Sequence, residues 1–598
     1  MSRRSRLVSR RDRRNERGAA MVLGAIFFAF LALPLCALAV DTARWWVETH
    51  RIQAAADAAS TAGVTFMPED FAKAEARALE VAAQNGYTAG GGTTITVEGG
   101  AKPTQLKVTI SQSVDNFFAS SFGIHQSTIT RGSVADFNGP APMGSPCNTF
   151  GNEPAGSATL GPQGSVLKSP PHAICSTNPQ FWGAIAGPET WKDQGSQFET
   201  RKCGGGEDGC ASSANGAANE EYDPRGFIYM IRVSDAAVGQ SIKLQLYDPA
   251  YVDAGSGACN AGPTGTFAAT ENYRYPYATT DAHERYKNAA NAFCSGDSDN
   301  GSRRFGGESA TITSFALREP VDTLNPFAAP AHQPAQCTKQ FPGYRDTGAD
   351  SALRNLDAGN GPDFKMDMAR VFHQWVDLCT FTPSRAGDWY LQVRNNVDMP
   401  NGSITLDSTG AYAGNPAVVA QVGDDPHVKG NGNNMFGIRA ISNAPAGAVS
   451  VSSFEKMRIY ANADSATTTF NLVRVVPAAA NKKLVVSFFD VGEATGGSPG
   501  SVQLLPPAES NLTTVNGCIG DGVTDGTLSN CTITGITSAS YNGKLQFLRV
   551  PIPSTYTCES VSAGGCWWRA MVSFPGSRVT DATTWTARVE GEPIRIIE

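Results

Sequence analysis

The chain begins with an uncharged N-terminal run and continues into a long stretch where apolar and polar residues alternate. Residues 19–40 contain no charged side chain, and a helix of about 20 apolar residues crosses a bilayer. Eight arginines precede this run, against Asp12 and Glu16. Basic residues before a first span stay in the cytoplasm. The pattern therefore predicts a cytoplasmic leader at 1–18, a single transmembrane helix at 19–40 and an extracellular remainder.

A cleaved signal peptide is the alternative interpretation of this N-terminus. Signal peptides carry an apolar region of about 7–15 residues ahead of a small-residue cleavage site. The run here is longer, although the segment ALAVD at its end leaves cleavage open. We expect the segment to be retained in the cell membrane as a signal anchor.

An alanine-rich segment and several alternating segments follow the apolar run. Residues 41–62 contain neither proline nor glycine, so the helix is expected to continue outward as a stalk whose small residues let another helix approach closely. A second helix is predicted between Pro68 and Gly86, which are typical start and stop residues. The strings TTITVE, QLKVTISQ and STITRGSVADF alternate as strands. Together these elements predict an α+β module at 41–138.

Two segments of the remaining chain align without a gap at an offset of 242 residues. IYMIRVSDAAVGQSIKLQLYDPA (228–250) matches FNLVRVVPAAANKKLVVSFFDVG (470–492). A ten-residue spacing also recurs, from Cys379 to Trp389 and from Cys558 to Trp568. Such internal similarity indicates two copies of one structural unit.

The fold class that follows is α+β, mostly β. Alternating residues bounded by Gly, Pro, Asn and Asp clusters are typical of antiparallel strands in a sandwich or jelly roll. We predict two such β-sandwich units, at 171–400 and 451–598, with connecting strands at 401–450. Residues 139–170 are rich in Gly, Pro and Ser and predict a linker.

Charge and cysteine content support an exported protein. Without the leader's eight arginines and two acids, 40 basic and 53 acidic residues remain, a net charge of −13. This balance argues against a nucleic-acid partner. Of 13 cysteines, 12 lie beyond the predicted span, where disulfides form. The short-range candidate pairs are Cys203 with Cys210, Cys518 with Cys531, and Cys558 with Cys566.

Candidate chemistry is sparse, so we predict no catalytic residue, no metal and no cofactor. There is no H-E-x-x-H string, Walker A loop or C-x-x-C pair. GDSDNGS at 296–302 offers oxygen ligands for calcium, but it misses the EF-hand register, so a plain solvated loop is the favoured interpretation. His373, near Asp377, is expected to be structural because the sequence offers no nucleophile motif for it to serve. The chain is therefore predicted not to be an enzyme.

Tryptophans provide a second interpretation of function. Exposed tryptophans stack on sugar rings or fill partner surfaces. Adjacent residues of a strand point to opposite faces, so one of Trp567 and Trp568 is expected to face outward. Trp182 and Trp568 are therefore candidate surface aromatics for a cell-wall or surface glycan.

The N-terminal region, residues 16–138, resembles TadE/TadG-like proteins of Tad (Flp-type) pilus assembly. The shared pattern is a basic entry, a single span, an Ala-Val-Asp exit and a Gln-x-Ala-Ala-Asp-Ala-Ala helix. The matching residues are Gly18, Ala39, Val40, Asp41, Gln53, Ala55, Ala56, Asp57, Ala58, Ala59, Ala62 and Gly63. The resemblance implies a pilin-like α+β module in which Asp41, Gln53, Asp57, Ala58 and Gly63 form an interaction surface on the stalk.

Two departures from the family pattern limit what the resemblance implies. Leu23 occupies the position where a prepilin-peptidase substrate carries glutamate, so a retained TadG-like anchor is expected rather than a processed pseudopilin. The Asp-x-Ser-x-Ser string of a von Willebrand A metal site is absent.

The sequence thus predicts a membrane-anchored envelope protein that takes part in pilus assembly, with protein partners in a pilus-assembly or secretion complex. A surface adhesin or carbohydrate-binding module on the same type of anchor is the main alternative. A secreted hydrolase is a third.

Overall fold

The protein is mostly β, with antiparallel sheets, in a computed structural model. The chain divides into an N-terminal unit, Met1–Gly139 with Glu592–Glu598, and a β unit, Pro140–Gly591. The structure describes residues 9–28, 33–67, 71–100, 105–137, 141–151, 181–251, 311–320, 326–332, 337–343, 371, 375–399, 405–420, 423–445, 447–461, 467–492, 494–495, 497–558, 565–576, 578–579, 582–589 and 594–596.

The N-terminal unit packs helices against one small sheet. Its elements are α1 Ser9–Phe27, α2 Leu33–Gly63, α3 Phe71–Gln84, β1 Thr93–Gly99, β2 Gln105–Asp115, β3 Gln126–Phe137 and β28 Ile594–Ile596. The sheet order is β1-β2-β3-β28, with every pair antiparallel. Alternate residues of β2 (Leu106, Val108 and Ile110) are fully buried, and they share one core with Ala55, Ala59, Ala74 and Ala78 of the two helices. This unit is therefore α+β, and it includes the helices and strands between residues 41 and 138.

The C-terminal strand belongs to the N-terminal unit, which the sequence did not indicate. In β28, Ile594, Arg595 and Ile596 pair with Phe137, Asp136 and Ala135 of β3. Along the sequence, the whole β unit therefore lies between β3 and β28, which are neighbouring strands of one sheet.

The predicted membrane span is not confirmed by the helices. Residues 19–40 are shared between α1 and α2, and residues 29–32 lie outside the described part of the chain. Among the residues that are described, no helix is both long enough and apolar enough to cross a membrane. The span remains a prediction from the sequence.

The β unit consists of two extended sheets that enclose one core, and of a separate two-stranded sheet. Its strands are β4 Pro142–Met143, β5 Thr149–Phe150, β6 Phe181–Ala186, β7 Phe227–Val233, β8 Ile242–Tyr247, β9 Ile312–Arg318, β10 Thr338–Pro342, β11 Trp375–Phe381, β12 Gly387–Arg394, β13 Tyr412–Ala413, β14 Asn433–Ser442, β15 Val449–Phe454, β16 Lys456–Ala461, β17 Thr467–Arg474, β18 Lys483–Phe489, β19 Ala494–Thr495, β20 Gly500–Leu505, β21 Ile519–Asp521, β22 Gly526–Thr527, β23 Thr532–Ile536, β24 Leu545–Pro551, β25 Trp567–Ser573, β26 Arg578–Val579 and β27 Thr583–Val589. Two short helices accompany them, α4 Pro416–Val419 and α5 Ser538–Tyr541.

Strand order shows how the two sheets are built. The first sheet runs β13-β10-β9-β12-β7-β15-β4-β17-β25-β20-β23. The second runs β11-β8-β14-β6-β16-β27-β18-β24-β21-β22, and β5 pairs with β14. Side chains from both sheets, such as Ile231 of β7 and Leu244 of β8, lie in the same hydrophobic cluster. The architecture is therefore a two-layer sandwich.

The sequence repeat is visible in the backbone. Two 3-10 turns, Asp235–Ala237 and Pro477–Ala479, lie 242 residues apart. Gly239 and Asn481 both have positive φ, as do Asp248 and Asp490 at the ends of β8 and β18. Both aspartates are buried, so each repeat ends its second strand with the same left-handed turn.

The recurring tryptophans occupy equivalent places as well. Trp389 of β12 pairs with Ile231, and Trp568 of β25 pairs with Val473, the residue 242 positions further along. The cysteines differ, because Cys379 lies within β11 and binds Cys337, whereas Cys558 lies after β24 and binds Cys566. The ten-residue spacing therefore marks equivalent tryptophans only.

The two copies share their sheets, in contrast to the predicted separation at 171–400 and 451–598. In the first sheet, β10-β9-β12-β7 and β23-β20-β25-β17 flank the central pair β15-β4. In the second sheet, β6 of the first half pairs directly with β16. Strand edges carry unpaired N–H and C=O groups, and pairing them side by side merges the copies into one sandwich.

Two segments that the sequence placed outside the β units are part of the sandwich: the predicted linker at 139–170 and the predicted connecting strands at 401–450. Met143 and Phe150, from the predicted linker at 139–170, are fully buried, and their strands β4 and β5 pair with β15, β17 and β14. Residues 139–140 and 152–170 of that linker lie outside the described residues. Strand β14, from the predicted connecting segment at 401–450, pairs with β6 and β8.

Candidate interaction site

Asp41 joins the start of the stalk to the loop between β2 and β3. Its carboxylate accepts hydrogen bonds from the backbone N–H groups of Phe117 (2.9 Å), Phe118 (3.0 Å) and Ala119 (2.7 Å). Burial alone would raise the pKa of this carboxyl, but the three donors and the nearby Arg44 outweigh it and leave the pKa below its ordinary value. The Ala-Val-Asp exit motif therefore ends in an ionised anchor for a loop.

Gln53 and Asp57 join α2 to the sheet. The Gln53 amide donates to the Asp57 carboxylate (2.9 Å) and to the carbonyl of Gly132 in β3 (3.1 Å). One turn further on, the hydroxyls of Ser60 and Ser133 are 2.9 Å apart and buried. Residues four apart lie on one helix face, so this polar row fixes the position of the helix on β3.

Gly63 and the alanines of α2 allow close packing inside the N-terminal unit. Ala55, Ala56 and Ala59 are at most 1% exposed, and Ala58 is half-buried. A Cβ on Gly63 would lie 2.6 Å from the carbonyl oxygen of Ala74 and 2.6 Å from a methyl of Leu106. The small residues therefore bring α2 against α3 and β2.

The motif residues thus make contacts within their own unit, whereas the sequence analysis placed them on a surface for other helices. The exposed face of α2 is formed by other residues. Ala43, Val47, His50 and Ala54 follow one another at spacings of four and three residues and are all exposed, so they form one stripe along the helix. The sequence analysis did not identify this stripe, in which small and larger residues alternate.

The tryptophans proposed as surface aromatics are buried, which corrects that prediction. Trp182 and Trp568 are each 1% exposed and belong to the core between the two sheets. Trp567 lies outside that core cluster and is also buried. Alternation assigns neighbouring side chains to opposite faces, but it does not reveal that the second face is covered too. Trp191 is the exposed tryptophan among those described in the β unit, at 37%.

Disulfides form in the β unit. The structure joins Cys203 to Cys210, Cys518 to Cys531, and Cys558 to Cys566, as the short spacings predicted. It adds Cys337–Cys379, which the sequence did not indicate. Cys147 is also disulfide-bonded.

The candidate metal ligands do not form a metal centre in the described part of the chain. Within it, no three His, Cys, Asp or Glu residues are grouped so that they could hold a metal ion. The candidate calcium loop at 296–302 and His373 lie outside the described residues. A G-x-S-x-G string at 496–500 leads into β20, whereas a nucleophile elbow leads from a strand into a helix.

Comparison with known proteins identifies the N-terminal region. Residues 18–78 match the family model described as putative Flp pilus-assembly TadE/G-like. No curated protein and no solved structure matches the chain. The match covers the end of α1, all of α2 and the first part of α3, and it includes Asp41, Gln53, Asp57 and Gly63. The chain therefore carries a TadE/G-like region at its N-terminus.

Proposed function

We propose that this protein is a single-pass, membrane-anchored envelope component of Tad/Flp-type pilus assembly and not an enzyme. Its leader lies in the cytoplasm, residues 19–40 cross the membrane, and both described units lie outside. The observation that carries the proposal is the TadE/G-like match at residues 18–78. The disulfides of the β unit support an oxidising location.

The exposed stripe of α2 is the part of the TadE/G-like region that we propose for contact with pilus-assembly proteins. Gln53, Asp57 and the buried alanines are engaged with β3 and α3. Ala43, Val47, His50 and Ala54 remain exposed. Small side chains let helix backbones approach each other closely, so a partner helix fits this stripe.

Site-specific photo-crosslinking in intact membranes tests this function. We expect a crosslinking amino acid at Ala54, on the exposed stripe, to capture pilin-like or secretion-motor proteins that mass spectrometry identifies. The matched control carries the same crosslinker at Glu75, an exposed residue of α3. Glu75 should capture none of these proteins, because it lies outside the stripe.

If the crosslinkers at Ala54 and Glu75 captured unrelated proteins to the same extent, the result would contradict the pilus-assembly proposal. Substitution of Asp57 is unsuitable as a control, because Asp57 accepts a hydrogen bond from Gln53 on the face of α2 that contacts β3. A loss of crosslinking in such a variant would report misfolding as readily as a lost partner.

A surface adhesin or carbohydrate-binding module is the alternative, and Trp191 provides its test. Trp182 and Trp568 offer no sugar-stacking surface because they are buried. Trp191 is 37% exposed in the β unit. If the β unit binds cell-wall polysaccharide, Trp191→Ala should abolish that binding while Trp191→Phe retains it. Binding unaffected by both substitutions would remove the remaining support for a glycan site.

A further inference from the structure

The loop at residues 117–124, here called the apolar loop, exposes large apolar side chains. Phe117 is 66% exposed, Phe118 42%, Phe122 76% and Ile124 55%. The loop contains the 3-10 turn Ala119–Phe122, and Gly123 ends that turn with positive φ. Contiguous exposed apolar surface of this kind marks a contact with a partner or a membrane.

Hydrogen bonds hold the apolar loop in one conformation. The Asp41 carboxylate accepts hydrogen bonds from three backbone N–H groups of the loop. Asn116 donates to the carbonyl of Ile124 (3.0 Å) and accepts from the indole N–H of Trp45 (2.8 Å). Arg44 lies 4.8 Å from the centre of the Phe117 ring. The aromatic side chains are therefore presented by a fixed backbone.

These contacts place the loop beside the end of the apolar run. Asp41 directly follows that run, and one helical residue advances the axis by about 1.5 Å. The backbone of the loop consequently lies at the level where the predicted span ends. On α2, Leu38, Val40 and Trp46 are 51%, 50% and 65% exposed, so the helix adds apolar surface at the same level.

We propose that the apolar loop inserts into the interfacial layer of the bilayer from which α2 emerges, and so docks the N-terminal unit on the membrane. Tryptophan and other aromatic residues favour that layer. The contact is apolar rather than electrostatic, in keeping with the net charge of −13 beyond the leader. Continuity with residues 19–40 identifies lipid as the occupant. The inference rests on the proposed membrane anchor.

Depth-dependent fluorescence quenching of the full-length protein tests the inference. The protein is reconstituted in phosphatidylethanolamine–phosphatidylglycerol vesicles that contain lipids brominated near the headgroup. A genetically encoded, environment-sensitive fluorescent amino acid replaces Phe122 in one variant, Val22 in a second and Glu98 in a third. Glu98 pairs with Lys107, about 25 Å along β2 from the loop at about 3.3 Å per residue.

The three positions distinguish failure of the loop from failure of the anchor. We expect the brominated lipid to quench the fluorophores at 122 and 22 and to leave the one at 98 unchanged. Quenching at 22 but not at 122 would overturn the docking of the loop while the anchor stands. No quenching at 22 would contradict the anchor itself, and with it the inference. A fluorophore at 122 that is shielded from aqueous iodide but not quenched by lipid would assign the surface to a second copy of the chain.

Discussion

Single residues of the TadE/G-like region act within one folded unit. Asp41 holds a loop, Gln53 reaches a strand, and Gly63 leaves room for a neighbouring backbone. A sequence pattern of this kind indicates that particular side chains are required, without saying whether the requirement is internal packing or an external partner. Distances and burial make that distinction here in favour of internal packing.

Replacement of Gly63 tests this packing. Gly63→Ala should reduce the free energy of unfolding of the N-terminal unit by about 1–3 kcal/mol, as is usual for overpacking. The reason is that the carbonyl oxygen of Ala74 would lie 2.6 Å from the new Cβ. Hydrogen exchange in α2 and α3 measures the effect. Gly99→Ala is the matched control, since a Cβ there meets nothing within 4 Å. An equal effect of both substitutions would contradict the close approach of α2 and α3.

The low pKa of Asp223 predicts that the stability of the β unit depends on pH. Burial opposes its ionisation, but hydrogen bonds from Arg225 (2.8 Å) and Lys456 (2.6 Å) lower its pKa to about 2. Asp223→Asn should therefore cost about 1–2 kcal/mol of stability at pH 7, allowing for solvent screening. The native pKa lies below the ordinary value of 3.8. The ion pairs consequently stabilise the protein above about pH 4, and this contribution is lost as the pH falls from about 4 to about 2.

Urea unfolding at pH 7 and near pH 2 measures this difference. The stabilities of wild type and Asp223→Asn should converge at the lower pH. Glu220→Gln provides the control, because Glu220 is exposed and lies in the same segment. A difference between wild type and Asp223→Asn that persists at low pH would show that the charge of Asp223 is not its cause.

At the scale of elements, strand existence followed from periodicity, but strand pairing did not. Alternation in QLKVTISQ predicted β2 correctly because alternate side chains must reach one buried face. The pairing of β28 with β3 joins residues about 460 positions apart, and no local pattern contains that information. The same limit explains why β4 and β14 were predicted as linker and connecting segments.

Deletion of residues 592–598 tests the role of β28. Loss of its pairing with Ala135, Asp136 and Phe137 should destabilise the N-terminal unit by about 1–3 kcal/mol, from a few backbone hydrogen bonds. Hydrogen exchange at the end of β3 should accelerate, while exchange in the β unit stays unchanged. Arg595→Ala keeps the backbone pairing and should have little effect. Unchanged exchange in β3 after the deletion would contradict the pairing.

At the scale of the whole molecule, the two repeats form one sandwich. Their strands meet at the central pair β15-β4 and at β6-β16, and their side chains share one hydrophobic cluster. A side-by-side arrangement leaves fewer strand edges exposed than two separate sandwiches would. The copies are therefore structurally dependent on each other.

Expression of fragments tests this dependence. The segment 140–591 should fold as a monomer with cooperative thermal unfolding, because it contains both sheets. The segment 451–591 should aggregate or remain unfolded, because β16 and β17 lose β6 and β4 as partners. Circular dichroism and size-exclusion chromatography measure the outcome. A monomeric, folded 451–591 would show that the second copy is an independent domain.

By itself, the sequence determined the TadE/G-like region, the mainly antiparallel β structure, the 242-residue repeat and three short disulfides. Periodicity, motifs and short cysteine spacings are properties of short segments. The conformation of a short segment depends directly on local sterics and chain entropy. Only the tertiary structure decided that Trp567 is covered, that the repeats share their sheets and that β28 completes the first sheet. Those outcomes depend on which distant surfaces meet, because buried area and paired strand edges are gained only once the chain has folded.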